Sequence, residues 1–156
     1  MRIATDVAKL KIEAFCAYQE RSSFDIRSRL SEWGFTEDKI EIFIKELINE
    51  GFLNDLRYAS SFVSGKFKIK KWGRNKIKAQ LRSKMISTEF IEIALKEIDA
   101  DEYWETLFCL SQKKFKELAS KKDSEWNKRQ KIARFLAQKG YENNLIFDAI
   151  DQLISE

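Results

Sequence analysis

IKAQLRSKMISTEFIEIALKEI, residues 77–98, decides the fold, because its pattern occurs twice more in the chain. It appears earlier at residues 26–47 (IRSRLSEWGFTEDKIEIFIKEL) and later at residues 132–153 (IARFLAQKGYENNLIFDAIDQL). Six apolar positions coincide: Ile26, Ile77 and Ile132; Leu30, Leu81 and Leu136; Phe35, Ile86 and Tyr141; Ile40, Ile91 and Ile146; Ile44, Leu95 and Ile150; Leu47, Ile98 and Leu153. Successive copies lie 51 and 55 residues apart. Self-similarity near that period marks an array of supersecondary units. An array offers an extended surface, suited to extended partners.

Each copy reads as two helices around a short turn. In the first, Trp33-Gly34-Phe35 ends one helix and Thr36 caps the next, whose stripe Ile40, Phe43, Ile44, Leu47 has i, i+3, i+4, i+7 spacing. In the second, Ser87 is the cap, and in the third Asn143 or Asn144. A further helix precedes each pair, over about Thr5–Tyr18, Leu56–Lys71 and Glu102–Leu118, with Asn54-Asp55 as capping chemistry for the second. Three helices can close a core that two cannot. The expected fold is all-α, with three tandem three-helix repeats at residues 1–50, 51–100 and 101–156 in an elongated, curved array.

Composition agrees: no proline, and glycines only where the apolar periodicity stops or restarts. The absence of histidine removes the commonest general base and metal ligand. Ser22-Ser23, Asp25 and the acidic cluster at Asp99–Glu102 have no partner at a catalytic or metal-ligand spacing, and no glycine-rich phosphate loop exists. The expectation is therefore no enzyme, no catalytic residue, no cofactor and no metal. Cys16 and Cys109, both within apolar helical patterns, are expected to be reduced packing residues. The opening MRIATDVAKLKIEAF lacks the apolar run of a signal peptide, so a cytoplasmic protein without membrane association is expected. With no strong heptad seam, a monomer is expected.

The formal charge of +4 conceals an asymmetry. Between Asp55 and Glu89 lie ten cations and no acid: Arg57, Lys66, Lys68, Lys70, Lys71, Arg74, Lys76, Lys78, Arg82 and Lys84. A localised positive field attracts polyanions. Arg74, Lys78 and Arg82 recur every four residues, so they share a helix face despite mutual repulsion. Lys66 and Lys70 form a similar pair on the preceding helix. Trp72 stands among these cations, where an aromatic ring can stack on an unpaired base, whereas Phe67 reads as packing. A second basic run, Lys113 to Arg134, is interrupted by Glu117, Asp123 and Glu125 and reads first as a solvated surface.

Asn54-Asp55-Leu56-Arg57-Tyr58-Ala59-Ser60-Ser61-Phe62-Val63, with Lys71-Trp72-Gly73-Arg74-Asn75-Lys76-Ile77 after it, resembles the most recognisable segment of the RecX family. Glu20-Arg21-Ser22-Ser23 and the Leu30–Phe35 segment look like that family's first repeat. Met85 stands where the family usually has glycine, so a different helix cap is expected there. The resemblance implies a modulator of the bacterial recombinase RecA, acting in homologous recombination, DNA repair and the SOS response. It implies binding to the RecA–DNA filament and, most often, inhibition of ATP hydrolysis and strand exchange. The implied partners are the RecA nucleoprotein filament and single-stranded DNA, with double-stranded DNA a further candidate. Lys66, Lys70, Lys71, Trp72, Arg74, Lys78 and Arg82 are assigned to that contact. Asp55 is assigned to capping, Tyr58 and Phe62 to the core, and Arg57 to a structural ion pair.

Two other classes remain open. One is a free-standing helix-turn-helix DNA-binding protein, although the last helix of the central unit carries Glu89, Glu92 and Glu97. The other is a helical interaction scaffold that ignores nucleic acid.

Overall fold

The computed structural model describes residues 3–155. Among them are nine helices and no strand: α1 (Thr5–Tyr18), α2 (Ser23–Glu32), α3 (Glu37–Asn49), α4 (Asp55–Lys68), α5 (Arg74–Ser83), α6 (Thr88–Leu95), α7 (Ala100–Ala119), α8 (Glu125–Lys139) and α9 (Asn143–Ser155). The protein is an all-α helical repeat. Every position of the threefold template is buried except Phe35, Ile98 and Leu153, which are half-buried. Burying such a side chain is worth roughly 1.5–3 kcal/mol, so this template drives folding.

The chain forms two compact units. One gathers the chain up to Ser61 with Leu81–Ala94; the other gathers Phe62–Gln80 with the chain from Leu95 onward. In the first, Ala8, Ile12 and Cys16 of α1 pack with Ile26 and Leu30 of α2, the α3 stripe and Leu53. In the second, α7, α8 and α9 bury Leu107, Ile132, Leu136, Ile146 and Ile150. Phe67, Tyr103 and Tyr141 form a chain of rings there, with centroids 5.8 and 5.2 Å apart.

The turn between the paired helices is built the same way in all three copies. Gly34, Met85 and Gly140 have φ of 87°, 59° and 103°. In each copy the next residue donates to a carbonyl five positions back: Phe35 to Leu30, Ile86 to Leu81, Tyr141 to Leu136, all at 3.2 Å. This satisfies helix-end carbonyls through one left-handed residue. Met85 therefore corrects the expectation of a different cap: the hydrogen-bond pattern outweighs the steric cost of a Cβ at positive φ.

Caps set the other boundaries. Ser22 and Asp25 form a reciprocal capping box on α2, which accounts for residues that look unemployed in the sequence. Thr36, Ser87 and Asp99 accept from Lys39, Phe90 and Glu102 amides at 3.4, 3.2 and 2.9 Å. At α4 the cap is Asn54, whose Oδ1 accepts from Arg57 N–H at 3.0 Å. Asp55 instead caps α2, taking the amide and hydroxyl of Ser23 at 2.8 and 3.0 Å.

Four expectations are corrected. The helix placed over Leu56–Lys71 is α4, ending at Lys68, because Lys71 at φ 61° turns the chain away. Lys70 consequently lies in the turn, not paired with Lys66 along one helix. α9 begins at Asn143, with Ile146 N–H on Glu142 O at 3.0 Å, so Glu142 and neither asparagine holds the cap position. Cys109 is exposed, whereas Cys16 is buried as expected.

Candidate nucleic-acid interface

In the second unit, the turn between α4 and α5 is laid against the end of α8, backbone on backbone. Gly73 N–H donates to Lys139 O and Asn75 N–H to Gly140 O, both at 2.8 Å. A Cβ at Gly73 would fall 2.4 Å from Gly140 C, so only glycine admits this approach. Tyr141 hydroxyl donates to Lys71 O at 2.8 Å, holding the residue at positive φ. A long-range backbone clamp thus fixes the lysine-bearing turn.

Side chains complete the clamp. Tyr103, buried on α7, accepts from Arg74 N–H at 2.9 Å and donates to Glu142 Oε1. Glu142 Oε2 pairs with Arg74 Nη1 at 2.8 Å, and that guanidinium lies 3.8 Å from the Tyr103 ring centroid. Burial first, then the bond to Glu142, pushes the Tyr103 phenol far above its ordinary pKa. Burial does the same for Tyr141. Both phenols remain donors at any physiological pH.

The ten-cation run therefore divides. Arg57 pairs with Glu20 at 2.7 Å, Arg74 with Glu142, and Lys84 with Asp25 at 2.6 Å. Burial pulls the Asp25 pKa upward, but hydrogen bonds from Lys84 and Ser22 outweigh it and leave it below the ordinary carboxylate range. By contrast, no carboxylate among the described residues pairs with Lys66, Lys70, Lys71 or Lys76. Lys66 and Lys76 both lie over the half-buried Trp72 indole, at 4.9 and 4.4 Å from its ring. Phe62 meets Trp72 edge-on with centroids 6.4 Å apart, and Phe67 is buried.

Of the residues assigned by sequence, Lys66, Lys70, Lys71 and Trp72 come together at this turn. Arg74 borders it with its guanidinium engaged, and Lys78 is half-buried on α5. Arg82 is exposed on the last turn of α5, in the part of that helix belonging to the first unit. Lys76, which belongs to the same acid-free run but is not among the residues assigned by sequence, also lies at this turn, over the Trp72 ring. Lys139, whose Nζ reaches Lys70 O at 3.5 Å, had no local signal. Among the described residues, no group of three or more His, Cys, Asp or Glu is arranged to hold a metal, and no helix is long and apolar enough to cross a membrane.

Fold and site together define a tandem three-helix-repeat protein with a cation-rich turn held by its third repeat. Family models for the second and third three-helix domains of RecX match residues 54–95 and 101–150. The regulatory protein RecX of Clostridium perfringens (strain 13 / Type A) is 36% identical over 118 residues, covering 76% of this chain and 55% of the relative. That of Prosthecochloris aestuarii is 26% identical over 141 residues, covering 90% and 89%. The crystal structure of RecX from Lactobacillus salivarius superposes with a TM-score of 0.87 at 26% identity, covering 97% of both chains. The chain belongs to the RecX family. It spans little more than half the length of the clostridial relative, 55%.

Proposed function

We propose that this chain binds the RecA–DNA filament and inhibits its ATP hydrolysis and strand exchange, acting in the cytoplasm as a non-enzymatic monomer. The observation that carries the reading is the turn at Trp72. There Lys66, Lys70, Lys71 and Lys76 keep their charge unmatched by any carboxylate among the described residues, although other cations of the same run are neutralised. Membership of a family whose relatives are named regulatory proteins supports it. In this picture the lysines contact phosphates or an acidic recombinase surface, and the Trp72 indole is open to a base where the lysines lift away.

The test is single-stranded-DNA-dependent ATP hydrolysis by the host recombinase, titrated with this protein across a salt series. Suppression that weakens as salt rises is expected; five neutralised phosphates on single strands correspond to a log–log slope of about −3.5. Replacing Lys66, Lys70 and Lys71 with Gln should abolish most of the suppression while the protein stays folded. Undiminished suppression by that variant would refute the site, and no suppression by the wild-type chain at excess would refute the function. The helix-turn-helix alternative gains nothing: α6 carries Glu89 and Glu92, which disfavour entry into a groove lined by phosphates.

A further inference from the structure

The second unit carries another basic surface, at the α7–α8 turn. Between Lys113 and Arg134 the sequence has nine cations and three acids. Asp123 is consumed internally: it accepts from Ser124 N–H at 2.9 Å, Asn127 Nδ2 at 2.8 Å and Lys131 Nζ at 2.8 Å. Glu117 lies 3.5 Å from Lys114, and Arg129 is taken by Asp151 at 2.8 Å. What remains is lopsided. Among the described residues, Lys113, Lys116, Lys121, Lys122, Lys128 and Arg134 have no carboxylate partner, leaving Glu125 as the one acid of this stretch outside an ion pair.

Amid these cations stands Trp126, 67% exposed on the first turn of α8. A single exposed apolar residue is ordinary. An exposed indole in a segment of exposed, unmatched cations is a different object, the combination that single-stranded nucleic acid uses: a flat ring for a base and charges for the flanking phosphates. The turn is also ordered, since Ser124 Oγ accepts from Asn127 N–H at 3.1 Å and Asp123 ties three donors together. Trp126, Gln130 and Arg134 follow at four-residue spacing and so form one outward row along α8. α8 has 15 residues and is therefore about 22 Å long, which puts this surface and Lys139 at opposite ends of one helix.

We propose that the α7–α8 turn is a second contact for single-stranded nucleic acid, with Trp126 as the stacking platform and Lys121, Lys122 and Arg134 as phosphate ligands. It stands apart from the turn at Trp72 and does not depend on recombinase. A strand long enough to run the length of α8 engages both ends, and the two contacts then reinforce each other through effective concentration.

The experiment is fluorescence anisotropy of a labelled oligodeoxythymidylate 20-mer with the full chain and no recombinase. Trp126→Ala should weaken binding about tenfold, the worth of one stacked base, and Trp126→Phe should recover most of it. Exchanging the exposed Lys121 and Lys122 for Gln should make the salt slope shallower by about 1.4. Circular dichroism checks folding, and all the exchanged side chains lie at the surface. Wild-type affinity in both Trp126→Ala and the lysine variant overturns the proposal, as does failure of the wild-type chain to bind the oligomer. Neither result touches recombinase suppression, which is read separately by ATP hydrolysis. Conversely, loss of suppression with the Trp126 dependence intact would leave this contact standing and remove the function proposed above.

Discussion

Two parts of the same cation run have opposite fates. Arg57 and Lys84, in the first unit, each sit on a carboxylate delivered from the α1–α2 segment, Glu20 and Asp25. In the second unit Lys66 and Lys76 lie over a tryptophan that Lys70 and Lys71 precede in the chain, and none of the four meets a carboxylate among the described residues. In the sequence these residues are indistinguishable members of one acid-free stretch. The difference teaches that charge density along a chain is an upper limit on surface field: residues distant in sequence decide how much of it survives. The surviving part is where the family's regulatory contact is proposed.

The contrast breaks most completely at Gly73. Gly73→Ala drives a Cβ to 2.4 Å from Gly140 backbone carbon, so the clamp must open. A destabilisation of about 3 kcal/mol is expected in urea unfolding, with loss of the ordered lysine turn. A cost under about 1 kcal/mol would show that the two backbones separate easily.

Removing one acid moves a cation from one class to the other. Glu142→Gln leaves the Arg74 guanidinium without its carboxylate and costs roughly 1.5 kcal/mol, since the pair is only about 28% exposed. Polyanion binding should rise in the same variant. An unchanged affinity would mean that Arg74 does not face the bound ligand.

Met85→Gly tests whether the second copy differs from its neighbours in anything but strain. Glycine removes the left-handed penalty while adding chain entropy, so a net gain of about 0.5–1 kcal/mol is expected in thermal unfolding. Lysine-dependent binding should stay as it is. A loss of stability would show that the Met85 side chain, though exposed, contributes packing.

The smallest effect concerns Lys84. Asp25 has a depressed pKa when folded, so its stabilisation is fully present above the unfolded value near 3.9 and disappears as pH falls through the lower folded value. Stability should decline on acidification below about pH 4, and Asp25→Asn should flatten that decline while releasing Lys84 to the surface. An identical acid profile in the variant would remove Asp25 from the account.

The sequence alone determined the helices, their threefold template and α1 to the residue, because apolar periodicity and capping chemistry are local properties. The same locality explains the misses. Lys71 has no sequence mark of a left-handed residue, and its conformation is held by Tyr141, seventy positions away. Glu142 reads as a surface acid beside two asparagines, yet it caps α9, pairs with Arg74 and accepts from Tyr103. Periodicity could say that Arg74, Lys78 and Arg82 share a helix face, but not that Arg74 is already matched. Only the tertiary structure decided which cations are neutralised, because ion pairing depends on distances of a few ångströms between groups that folding brings together from remote positions.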